Sequence, residues 1–128
     1  MIARRLSNDS SGSASVEFAV AVPILISLIW GIFQISLLFQ AGAGVQNALG
    51  QAARYATIYP TPSDTQIQAL IQSSKFGTAN GTWSTPTITT DAAGYKVISV
   101  SYSQPTDFLF FQGPTVTLTK TKRVYLSV

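Results

Sequence analysis

From Phe18 to Phe39 the chain reads FAVAVPILISLIWGIFQISLLF, 22 residues without a charge, and the next charged residue is Arg54. About 20 apolar residues in a helix cross the hydrocarbon core of a bilayer. The run is apolar on every side, as lipid exposure requires, whereas a surface helix is apolar on one stripe. Ser27, Gln34 and Ser36 are its polar interruptions, and a helix backbone can satisfy both serines locally. The stretch therefore reads as a transmembrane helix. Two other readings compete with it. The apolar core of a secretory signal is 7–15 residues, shorter than this one, although Ala41-Gly42-Ala43 has the small residues of a cleavage site. A buried core helix would need a larger soluble fold around it than the rest of the chain supplies.

The run explains the composition of the 128 residues, which are 46% hydrophobic and 10% charged, with no Cys and no His. A chain without those two residue types has no disulfide framework, no thiolate nucleophile, no usual zinc, haem or iron–sulfur site and no triad with a His base. Asp64, Asp91 and Asp107 are isolated in turn or cap contexts, and no nucleophile-elbow or phosphate-loop motif is present. The sequence thus predicts no enzyme, no cofactor, no metal and no small-molecule substrate. The net charge of +3 is spread out. Lys120, Lys122 and Arg123 read as a solvated strand face, and without a basic cluster interleaved with aromatics nucleic acid is not expected as a partner.

Helical character continues through GAGVQNALGQAARYATI to about Ile58, where Pro60 and Pro62 end it. Gly44, Ala48, Ala52 and Ala56 recur every four residues and form a small-residue stripe on which another element can pack closely. The whole helix, from about Ser13, would be on the order of 70 Å long. Pro23 and Gly31 lie inside the apolar run, as ordinary membrane-helix composition or as points where the helix bends. Ser63-Asp64-Thr65-Gln66 has the capping-box pattern and begins a short helix from Asp64 to about Lys75, with Ile67, Leu70 and Ile71 at helical spacing. Gly77–Pro86 reads as loop, Thr87–Thr90 as a short strand, Asp91–Gly94 as a turn, Tyr95–Ser103 as a strand and Thr115–Leu126 as an alternating last strand. Between those strands, Gln104–Pro114 reads as a loop whose Phe108-Leu109-Phe110-Phe111 packs into the core; an exposed contact patch is the alternative. Trp83 is expected as an ordinary core or surface aromatic. Short connections favour an antiparallel meander. A core built from about 70 residues without disulfides is marginal alone and should lean on the outer part of the long helix.

The amino-terminal segment carries the functional signal. Arg4 and Arg5 precede Gly12-Ser13-Ala14-Ser15-Val16-Glu17-Phe18, so an acidic residue stands at the entry to the apolar helix. Glu17 can be read as an interfacial residue favoured by the helix dipole, or as a charge near the bilayer with a role. A basic leader, Gly12, four residues, Glu17-Phe18 and a long apolar helix resemble the class III signal of type IV pilins and pseudopilins. SGSASVEFAVAVPILISLIWGIFQISLLFQ, with Pro23 five residues after Phe18 and Gly31 eight further, is similar to the amino terminus of the TadE-like family, as is QAARYA at Gln51–Ala56. The resemblance covers Arg4 to Ala56, and Asp9 departs from a uniformly basic leader.

That resemblance implies a minor pilin or pseudopilin-like subunit of the Flp, or tight-adherence, pilus machine. Its partners would be the membrane, a prepilin peptidase, other pilin or pseudopilin subunits and the assembly platform. The peptidase would cut between Gly12 and Ser13, and Glu17, fifth in the mature chain, would pair with the amino terminus of a neighbour and set register with Phe18. The implied fold is α+β: a long pilin-like transmembrane helix, then a short helix and a small antiparallel β-sheet packed on its extracytoplasmic half. The expected domains are a cytoplasmic leader peptide over 1–12, the long helix over 13–58 with its transmembrane part at 18–39, and a small extracytoplasmic α+β domain over 59–128. Arg4 and Arg5 before the helix against Arg54 after it favour a cytoplasmic amino terminus, and the resemblance implies a bacterial inner membrane. The competing reading is an uncleaved single-pass anchor that carries a periplasmic interaction module.

Overall fold

The computed structural model describes residues 10–126. Its first element, α1 (Ser10–Ala56), is one α-helix of 47 residues, about 70 Å at 1.5 Å per residue. Pro23 lies within it and Arg54 stands in its last turn, where a cation complements the helix dipole. The helix stops two residues before the expected Ile58. Thr57 and Ile58 turn back with amides donating to Arg54 O and Tyr55 O. The two serines of the apolar run bond within their own helix, Ser27 Oγ to Pro23 O at 2.6 Å and Ser36 Oγ to Ile32 O at 2.9 Å.

The short helix α2 (Asp64–Ser74) begins with the capping box that the sequence predicts. Gln66 N donates to Ser63 Oγ, and Ser63 N donates to Gln66 Oε1 at 2.9 Å. Ile67 and Ile71, one turn apart, are fully buried. Lys75, expected as the last helical residue, is instead the extended C-cap.

Four strands follow: β1 (Thr82–Trp83), β2 (Thr87–Thr90), β3 (Tyr95–Phe108) and β4 (Phe111–Tyr125). β4 runs antiparallel along the whole of one edge of β3, so β1 and β2 share the other edge, opposite Tyr102–Ser103 and Lys96–Ser99. The sheet is in effect a three-stranded meander whose first strand is broken between Trp83 and Thr87. Asp91–Gly94 makes the expected turn: Ala93 N donates to Asp91 Oδ1, Gly94 N to Asp91 O, and Gly94 takes φ +82°, where a side chain is disfavoured. Two expectations fail. The stretch 77–86 contains β1, and Gln104–Pro114 is not a loop, because β3 continues to Phe108 and β4 starts at Phe111. The breakers in that stretch are accommodated. β1 begins only opposite Ser103, so Pro105 sits where β3 has a free edge, as strand prolines do. Between the Pro105–Thr115 and Asp107–Gln112 pairs, β4 carries one extra residue, a bulge in which Thr106 Oγ1 donates to Pro114 O at 2.8 Å.

The core lies between the second half of α1, α2 and one face of the sheet. Ile98, Val100, Tyr102, Gln104 and Thr106 alternate toward it along β3. On the outer face, Ser99, Ser101 and Ser103 pair hydroxyl to hydroxyl with Thr121, Thr119 and Thr117 at 2.9–3.1 Å, which makes that face a polar ladder. From α1 come Ala41, Val45, Ala48, Leu49, Ala52, Ala53 and Ala56. Lys96 begins the inward row of β3. Its side chain is buried and its Nζ pairs with Asp64 Oδ1 at 2.6 Å, which ties the start of α2 to the sheet.

Candidate functional site: the exposed apolar helix and its first turns

The first half of α1 meets almost nothing in its own chain. Of its most apolar 18-residue window only 6% is buried, far from the mostly buried core helix of a soluble protein, and the helix is long and apolar enough to cross a membrane. Phe18 is 72% exposed, and the successive residues Ile24, Leu25 and Ile26, each turned about 100° from the last, are also exposed, so several sides of the helix are open. All-round apolar exposure demands an apolar surrounding, since so large a patch in water would drive association.

At its start, Gly12 and Ser13 lie in the first turns of α1, both exposed. A Cβ on Gly12 would have nothing within 4 Å, so packing in this chain does not require glycine there. Glu17 is exposed one turn later and, among the described residues, forms no ion pair. Arg4 and Arg5 lie outside the described residues. The four stripe residues sit at the other end of the helix, about 40–60 Å beyond Glu17 by helical rise. Ala48, Ala52 and Ala56 are fully buried. Gly44 is buried against the chain leaving α2, and a Cβ there would overlap the Phe76 carbonyl. Lys120, Lys122 and Arg123 are solvent-exposed near the end of β4, Arg123 with its guanidinium 5.6 Å from the Tyr95 ring centre.

Between these two ends lies a contact that the sequence reading missed. Phe108–Phe111 is not core under a loop. It is the tip of the β3–β4 hairpin, with Leu109, Phe110 and Phe111 exposed, and it reaches down α1 into the apolar run. Trp30 Nε1 donates to Asp107 O at 2.7 Å, Phe108 lies over Gly31, and Phe108 stacks on Phe111 with ring centres 5.0 Å apart. Tip and helix enclose an open groove of about 440 Å³ walled by Ile24, Leu28, Ile32 and the tip side chains. The signal available in the sequence was the four-residue apolar block itself. Pro105, Gly113 and Pro114 around it concealed the strands.

Among the described residues no cluster of three Asp, Glu, His or Cys could hold a metal ion. Asp64 pairs with Lys96, Asp91 caps its turn, and Asp107 presents its carbonyl to Trp30, so the three aspartates are dispersed among separate structural tasks. Comparison with curated proteins and with solved structures finds no significant match. The comparison with protein families does find one, and it falls on α1. Over residues 12–54, from the glycine before Ser13 to the last-turn arginine, the chain matches the TadE-like protein family.

Proposed function

We propose that this chain is a minor pilin or pseudopilin-like structural subunit for assembly of a Flp-type, tight-adherence pilus or a related secretion machine, processed by a prepilin peptidase after Gly12. The observation that carries this reading is the coincidence of the TadE-like match with an exposed apolar helix that begins at Gly12-x4-Glu17-Phe18 and carries a folded sheet at its far end. The TadE-like family is a structural, pilus-associated family, which agrees with a chain whose Asp64, Asp91 and Asp107 are engaged in separate structural contacts.

Physical chemistry accounts for each assigned part. Gly12 has no fold-imposed reason to be glycine, whereas a protease cleft that takes an extended strand favours the residue without a side chain. The first turn of a helix is also the turn with the fewest backbone bonds to break, because its amides lack partners. Among the described residues Glu17 finds no cation; the amino terminus created at Ser13 on a neighbouring subunit would offset the cost of enclosing it and set the stagger of adjacent helices. Phe18 and the apolar run exchange lipid for neighbouring helices, both apolar, so extraction does not oppose a large hydrophobic term. The amino terminus lies on the cytoplasmic side of the inner membrane and the sheet on the periplasmic side.

Co-expression with the cognate prepilin peptidase tests the reading. Intact-mass measurement should find a species that begins at Ser13, and Glu17→Ala should still be cut yet fail to enter filaments. Recovery of the uncut chain alone would replace the proposal with a permanent single-pass anchor, and normal piliation by Glu17→Ala would remove the register role.

A further inference from the structure

The β3–β4 hairpin extends past the core that it helps to build. The inward row ends at Thr106, and beyond it the next residues alongside α1 are Phe108, Leu109, Phe110 and Phe111, level with the segment Ile24–Ile35 of the apolar run. The change of character is abrupt. The rungs above the tip are polar at Asp107–Gln112 and Pro105–Thr115, with Asp107, Gln112 and Thr115 exposed. Below them, Leu109 is 49%, Phe110 70% and Phe111 65% exposed, and they continue the exposed surface of Leu28 and Ile24. Trp30 marks the same level, with its indole N–H turned to the Asp107 carbonyl and its ring against Phe33, the amphipathic placement that Trp favours at a membrane surface.

We propose that the hairpin tip is a second membrane contact: Leu109, Phe110 and Phe111 enter the lipid beside α1, and the outer boundary of the hydrocarbon lies at the level of Trp30 and Asp107. The inference rests on the reading of α1 as a membrane-crossing helix. Two costs confine the boundary. If it lay at Phe39, the end of the uncharged run, the exposed Asp107, Gln112 and Thr115 would sit in hydrocarbon beside the free edge of β3, which lipid does not tolerate. If it lay below Leu28, three large apolar side chains would face water. Between these limits Gly12 to Trp30 rises about 27 Å, close to the ~30 Å of a bilayer core, and Glu17 stands about 8 Å from its inner end, within side-chain reach of the headgroups. The spanning segment is therefore displaced toward the amino terminus relative to Phe18–Phe39, and the last residues of that run stand beside the sheet instead. Two contacts with the bilayer, the helix and the tip, also hold the sheet against rotation about the helix axis.

The absence of cysteine makes the test clean, since any introduced thiol is unique. The full chain is reconstituted in phosphatidylcholine–phosphatidylglycerol vesicles with one spin label at a time, at Phe110→Cys, Leu109→Cys, Leu25→Cys in the helix or Thr119→Cys on the outer sheet face. All four positions are exposed, so none of the exchanges opens the core. Power saturation then compares oxygen, which partitions into lipid, with a water-soluble nickel chelate. Phe110→Cys and Leu109→Cys should resemble Leu25→Cys, with an oxygen-to-nickel accessibility ratio several-fold above that of Thr119→Cys. A lipid-like Leu25→Cys with nickel-accessible tip labels would overturn the proposal and leave the membrane helix standing. Tip labels shielded from both reagents and broadened by a second label would overturn it in favour of a second copy over the groove. A nickel-accessible Leu25→Cys would overturn the membrane reading of α1 and the proposal with it.

Discussion

Lys96 and Asp64 show how unequal two halves of an ion pair can be. The Lys96 side chain is 9% exposed and the Asp64 side chain 49%, with 2.6 Å between Nζ and Oδ1. An exposed pair contributes little to stability, but an ammonium stripped of both water and partner is costly. Asp64→Ala should therefore lower stability by about 1–3 kcal/mol, because it leaves that buried group unpaired. Lys96→Met, which puts an apolar chain on the same inward row between Thr90 and Val124, should cost less than about 1 kcal/mol. Denaturant midpoints of the two variants in detergent micelles compare them directly; equal losses would mean that the pair acts symmetrically. The same asymmetry separates legible from illegible residues. Asp64 was readable as part of a cap, since its neighbours Ser63 and Gln66 are close in sequence. Its partnership with Lys96, 32 residues away, depends on where α2 lands on the sheet.

At the scale of the element, β3 concentrates the chemistry of the core. Its inward row places Tyr102 against Trp83, and the Tyr102 hydroxyl donates to Gln104 Oε1 at 3.1 Å. Burial pushes the Tyr102 phenol above its ordinary value of 10.0. The folded state therefore holds this proton longer than the unfolded chain does. The corresponding stability is fully present below pH 10 and is lost as pH rises through the folded-state value. Tyr95, raised chiefly by its hydrogen bond to Asp91, titrates on the same side of neutrality. Tyr102→Phe in a Tyr95→Phe background should cost about 1 kcal/mol at neutral pH, for the lost hydrogen bond, and flatten the decline above pH 10. Denaturant midpoints across that range check it, and an unchanged slope would show that Tyr102 is not the group that titrates. β3 also illustrates why element ends are harder to read than element centres. Tyr95–Ser103 alternates and was legible. The extension through Pro105 is stabilised by pairing with β4 and by a bulge, neither of which has a local signature.

At the scale of the whole molecule, the chain divides its one long helix between two environments. Among the described residues, seven of the thirteen buried apolar core residues belong to α1 between Ala41 and Ala56, and the other six to α2 and the sheet. The sheet and α2 alone would thus face water with their inward row uncovered, and each large side chain so exposed forfeits about 1.5–3 kcal/mol. A fragment of residues 60–128 should remain unfolded, whereas one of residues 40–128 should show cooperative unfolding and dispersed amide resonances. Cooperative folding of the shorter fragment would show that the helix is dispensable. The arrangement makes α2, the sheet and the second half of α1 one packed body.

The sequence by itself determined the apolar helix, the cap of α2, the turn at Asp91–Gly94 and the Gly12–Phe18 signal that resembles the TadE-like family. Each is written in neighbouring residues, through hydrophobic run length, capping chemistry and short-range motifs. Only the tertiary structure decided that Gln104–Pro114 is strand on both sides of a two-residue turn, that β1 and β2 share one edge, and that Phe108–Phe111 descends beside Trp30 and Gly31. Those outcomes depend on contacts between residues up to 77 positions apart, and local propensity around prolines and glycines opposes them until the partner strand is in place.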